Sequence, residues 1–148
     1  MKLFLLVIAI LLLISRVKRT PVCLSKRLWL KDLQKNLDSY KSSQETKSES
    51  DIETSKAFAV AMVFVLALFM CIYYALIAGR FSEFPVVFVL SALQIVMTII
   101  GATRPVPTNG KAFSTDINDY KYHSIIFKAN MVLDYVYYPI VIYLLLTI

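Results

Sequence analysis

The stretch Ala57 to Ala78, AFAVAMVFVLALFMCIYYALIA, contains no charge, no proline and no glycine. A helix rises about 1.5 Å per residue, so about 20 such residues cross a hydrocarbon core of ~30 Å. A helix that is apolar on every side has no place on the surface of a small water-soluble domain. A second run, Phe84 to Ala102, follows the short insert Gly79-Arg80-Phe81-Ser82-Glu83. An insert of that length permits a tight turn and nothing more, so residues 57–102 are predicted to form an antiparallel transmembrane hairpin. Pro85 falls in the first turn of the second helix, where its missing N–H costs little.

Each hairpin helix carries a face suited to packing. Ala67, Cys71 and Ala75 recur every four residues, with Ala78 and Gly79 beyond them. Small residues at that spacing let backbones approach closely in lipid. Ser91, Gln94, Thr98 and Gly101 fall on one side of the second helix. A buried amide in hydrocarbon requires partners, so Gln94 is expected to face protein or water.

Composition agrees with a membrane protein. The chain is 58% hydrophobic, against about 45–50% for soluble domains. Its 148 residues allow one small membrane domain and one modest extramembrane segment. Cys23 and Cys71 lie in unlike settings, one beside basic residues and one inside an apolar run, which argues against a disulfide framework.

Before the hairpin, Leu3 to Ile14 forms a shorter apolar run. Residues 1–17 are read as an N-terminal membrane anchor, thin or tilted. Basic residues follow the run more than they precede it, and SRVKRTPVC offers no small-x-small site. An uncleaved anchor is therefore expected rather than a signal peptide.

Lysine and arginine near membrane ends stay cytoplasmic. Ten of the 16 basic residues lie between Arg16 and Lys56, and Arg104, Lys111, Lys121 and Lys128 follow the hairpin. Placing 16–56 and 103–128 inside leaves Lys2 and Arg80 outside. Both termini are then expected outside, in a plasma-type membrane, with four spans in all.

Residues 18–41 are predicted to form a cytoplasmic interfacial helix, with Thr20-Pro21 as its N-terminal cap and first turn. Trp29, Leu30, Leu33, Leu37 and Tyr40 share one face, and Arg27, Lys31 and Lys35 lie opposite. That pattern suits a helix lying on an anionic leaflet, the three basic residues meeting lipid headgroups. Residues 42–56, SSQETKSESDIETSK, have almost nothing apolar to bury and are predicted to be a flexible linker. Asp51 and Glu53 also suit the first turn of the helix that follows.

After the hairpin, residues 103–124 read as a cytoplasmic loop. Arg104-Pro105-Val106-Pro107 is expected to end the helix, and Asn109-Gly110 to turn. Ser114 or Thr115 then caps a short helix on which Asp119 and His123 pair. Residues 125–148 form the last span, kinked at Pro139. Asn130 and Asp134 share a face there. An acid within a span costs on the order of 3 kcal/mol on insertion scales, so Asp134 is expected to be hydrated from one side, or paired with Lys128, Arg104 or tyrosines.

The fold class is thus an all-α integral membrane protein with four transmembrane helices and an amphipathic interfacial helix. Cys23 or Cys71 with His123 is the one nucleophile–base combination available, and no spacing supports it. No catalytic or metal pattern is found, no cofactor is implied, and no nucleic-acid partner is expected. The polar intramembrane residues Asp134, Asn130, Gln94, Ser91 and Thr98 are the candidates for packing or function. The expected role is a non-catalytic accessory, regulatory or immunity/exclusion component acting through helix–helix contacts, with a protein partner or self-association. The alternative is a homo-oligomeric pore, channel or small transporter, including a phage-type permeabilising protein.

Overall fold

The structure is a computed structural model describing residues 1–45, 47–103, 114 and 116–148. Among the described residues it is all-helical: α1 (Lys2–Leu24), α2 (Lys26–Gln44), α3 (Glu49–Arg80), α4 (Pro85–Thr103) and α5 (Ser124–Thr147), with a 3-10 turn at Ile117–Asp119. Three helices, α3, α4 and α5, are long and apolar enough to cross a membrane. The anchor forms as a helix but is not among them. Every eighteen-residue stretch of α1 contains Arg16, Lys18 and Arg19.

The hairpin forms as expected. Backbone bonds from Phe81 N–H to the Ile77 carbonyl and from Phe84 N–H to the Phe81 carbonyl close α3 and carry the chain straight to Pro85. α1 packs chiefly along α5 and α3 along α4, and α4 joins the two pairs by contacting α5. Contacts set the directions. Ser91 meets Tyr137 while Gln94 meets Asp134, so α4 and α5 are antiparallel. Arg16 meets Asp134 while Cys23 meets Tyr122, so α1 also runs against α5. The ends of α1 and α5 remote from α2 therefore lie with the α3–α4 turn.

The core sits toward that turn. α1 buries Leu5 and Ala9, with Ile8, Leu12 and Leu13 packed against them, a spacing of three and four that places one stripe inward. Phe4, Val7, Leu11, Ile14 and Val17 form the opposite, exposed stripe. α3 contributes Tyr73, Tyr74 and Ile77, α4 contributes Val87, and α5 contributes Tyr137, Tyr138, Val141 and Leu145. Farther from the turn α3 stands clear of its neighbours, with Phe58, Met62, Val63, Phe64, Val65 and Leu66 exposed.

Four expectations need correction. The small-residue face of α3 does not carry its packing: Ala75 is exposed, and a Cβ at Gly79 or Gly101 would meet nothing within 4 Å. Tyrosine rings fill the interface instead. The linker is largely helical, and its second half extends the next helix with Asp51 in the first turn, as its acidic residues suggested. α2 runs to Gln44, and α3 starts at Glu49, capped by the Ser48 hydroxyl, which accepts from Asp51 N–H. Adding residues to an existing helix avoids the nucleation penalty, so a polar segment joined to a spanning helix extends it. The break before α2 falls at Ser25, whose hydroxyl accepts from Leu28 N–H, while Pro21 lies inside α1. The helix expected after Ser114 is reduced to the turn at Ile117–Asp119, capped by the Asp116 side chain. In that turn Asp119 accepts from the Ser114 hydroxyl, and His123 opens α5 without a side-chain cap bond. The expectations for Arg104, Pro105, Pro107, Asn109, Gly110, Lys111 and Thr115 lie outside the described residues. α5 continues through Pro139.

Candidate functional site

Polar side chains on helices this apolar are turned toward one another. Asp134 is 2% exposed and Gln94 1%. The Gln94 amide Nε2 donates to Asp134 Oδ1 at 2.7 Å. Asp134 Oδ2 forms an ion pair with Arg16 Nη2. Arg16 remains 21% exposed, which lets water reach one side of the pair. Its other terminal nitrogen, Nη1, lies 3.8 Å from Cys23 Sγ. The partner of Asp134 is therefore neither Lys128 nor a neighbouring tyrosine. It comes from α1, the helix farthest away in sequence.

A tyrosine cluster lies on the turn side of this carboxylate. The Tyr74 and Tyr138 hydroxyls are 2.8 Å apart, and the Ser91 and Tyr137 hydroxyls 3.1 Å. Tyr73 donates to the Leu5 carbonyl at 3.5 Å. Ring centroids of Tyr73–Tyr74, Tyr74–Tyr137 and Tyr137–Tyr138 are 5.5, 5.4 and 5.4 Å apart, all edge-to-face. That is the favoured aromatic geometry, worth on the order of 1 kcal/mol per pair beyond burial. The hydroxyls thus serve as one another's partners.

Beside Asp134 lies a cavity of about 230 Å³ that reaches Tyr74 and Tyr138 of this cluster. Arg16, Arg19, Gln94, Thr98, Asn130 and Asp134 supply its polar wall. Leu12, Met70 and Met97 supply an apolar one. The structure thus brings Asp134, Gln94 and Ser91 into the bundle interior and leaves Asn130 and Thr98 half-buried at the cavity edge.

The predicted interfacial face is covered by the chain itself. Trp29 packs against Tyr122 and Phe127, with centroids 5.5 and 6.3 Å away. Leu37 is buried, and Leu30, Leu33 and Tyr40 are half-buried. Arg27, Lys31 and Lys35 point outward and are exposed. The Tyr122 hydroxyl donates to the Cys23 carbonyl, and the Thr20 and Tyr135 hydroxyls are 2.7 Å apart, so α2 and the end of α1 are tied to α5.

Arg16 and Arg19 are the site residues that sequence reasoning missed. Charge after a short apolar run reads as a flank that fixes orientation, and that reading hides a residue reaching into the bundle. The signal available was the cost of Asp134, which demanded a cation.

Cys23 and Cys71 are free thiols. Among the described residues no group of three His, Cys, Asp or Glu is placed to hold a metal ion. The chain matches no protein-family model, and no curated protein and no solved structure is significantly similar to it.

Proposed function

We propose that this chain is a non-catalytic multi-pass membrane protein that works through helix–helix contacts, as an accessory, regulatory or immunity/exclusion component of a larger membrane assembly. One observation carries this reading. The strongest polar groups of the spanning helices, Asp134, Gln94 and Ser91, are bonded to residues of their own chain. The exposed side chains of these helices are mainly apolar and suit lipid and the flanks of other spans, with Asn130 and Thr98 half-buried and Lys128 exposed near one end of α5. A pore built by self-assembly needs polar residues on the outer faces of its subunits, and here those residues are spent inside one.

The same reading takes α1 as a fourth span. Its exposed stripe Phe4, Val7, Leu11, Ile14 and Val17 is suited to lipid, and its charges cluster at one end. The excess of lysine and arginine supports residues 16–56 and 103–128 on the cytoplasmic side of a plasma-type membrane, with both termini outside. The exposed row Arg27, Lys31 and Lys35 then faces an anionic leaflet.

Reconstitution in liposomes separates this role from the pore. The expected result is no ion flux from well-folded protein. Flux that Gln94→Leu or Asp134→Ala alters would contradict it and make these residues the lining.

A further inference from the structure

We propose that the cavity between α1, α4 and α5 holds the headgroup of an anionic phospholipid, bound by Arg19, Arg16 and Asn130. Among the described residues no hydrogen bond or ion pair engages the side chains of Arg19 or Asn130, yet both line this cavity beside Arg16. Arg16 is partly answered by Asp134. Two guanidinium groups and one carboxylate thus line this cavity, with Arg19 exposed at its mouth and Asp32 beside both arginines in the adjoining cavity. Arginine suits such a place because its planar fork meets phosphate oxygens in pairs. Asn130 adds an amide donor at the same edge.

The other wall decides between a lipid and a free phosphate. Leu12, Met70 and Met97 line the same space, and α1 and α3 touch little beside it. Polar at Arg19, Arg16 and Asn130 and apolar at Leu12, Met70 and Met97, the cavity matches an amphiphile with its headgroup at the first group and the start of its chains at the second. Depth agrees as well. Asn130 lies six residues, about 9 Å, from the start of α5 at Ser124, so the charge sits on the headgroup side of Asp134. Basic pockets between spans on the cytoplasmic side are where anionic headgroups bind. Asp32 lines the adjoining cavity of about 310 Å³ and forms no ion pair with Arg19; it opposes an anion there. The site requires α1 to lie beside α5 within the bilayer, and it is independent of the accessory role.

The test is native mass spectrometry of the full chain in mild detergent, supplied with phosphatidylcholine or with phosphatidylglycerol. One phosphatidylglycerol per chain is expected to stay bound, with phosphatidylcholine retained about tenfold less. Arg19→Gln and Asn130→Leu are each expected to lower retention about tenfold, and Asp32→Asn to raise it. Arg27→Gln, on the exposed side of α2, is expected to lower retention clearly less than Arg19→Gln does. Equal retention of the two lipids, or retention indifferent to Arg19→Gln, overturns the site. An equal loss with Arg27→Gln overturns it in favour of surface adhesion. Displacement by inorganic phosphate overturns the lipid in favour of the free ion. A Lys2→Cys label reporting that α1 lies outside the bilayer overturns the seating of α1 itself, whatever the retention.

Discussion

Arg16 of α1 and Asp134 of α5 meet as an ion pair inside the bundle, with Gln94 of α4 on the second carboxylate oxygen. Three helices are therefore coupled through one acid. Breaking such a pair leaves the other charge buried without its partner, which costs about 3 kcal/mol or more. Arg16→Gln and Asp134→Ala are each expected to destabilise the fold by that order in denaturant unfolding from detergent. The double variant is expected to cost clearly less than the sum. Additive losses would mean that the two charges do not answer each other.

The Tyr74 and Tyr138 hydroxyls are each other's partner. Tyr74→Phe removes one and strands the other, with an expected loss of about 1 kcal/mol. Tyr138→Phe added to it removes the stranded group, so the pair of changes is expected to cost little more than one. The same unfolding experiment reads both.

Trp29 is the single tryptophan in the chain and packs between Tyr122 and Phe127. Its fluorescence thus reports the docking of α2 on α5. Phe127→Ala is expected to shift Trp29 emission to the red and to speed proteolysis between α2 and α3, with the spans intact. An unchanged spectrum would mean that Trp29 rests in lipid rather than on this aromatic pair.

Threading is read by cysteine labelling in sealed vesicles, with Cys23 and Cys71 replaced by serine. Glu83→Cys and Lys2→Cys are expected to label from one side, and Glu49→Cys from the other. Lys2→Cys labelling with Glu49→Cys would leave α1 on the membrane surface and reduce the spans to three.

The parts legible in the sequence were those fixed by local pattern. Ala57–Ala78 lacks any residue able to end or expose a helix, so α3 and its partner α4 follow from length alone. Gln94 and Ser91 are polar positions in hydrocarbon and had to turn inward. What was hidden depends on long-range contact or on neighbours. Arg16 reads locally as a flanking charge; its place in the bundle comes from α1 packing along α5. Glu49 to Lys56 is too polar to fold alone; Asp51 and Glu53 hinted at a helix start there, and the segment is helical because α3 continues it. Pro21 reads as a helix start, yet α1 runs through it and breaks at Ser25, beyond what a single residue's preference decides.

If this chain acts through contacts with another membrane protein, the mass of the gently solubilised protein, with every co-purifying species identified, reads that contact. A monomer or dimer held in fixed stoichiometry by one other membrane protein is the predicted result. A defined homo-oligomer with no partner would contradict it and return Asp134, Gln94 and Thr98 to the wall of a pore.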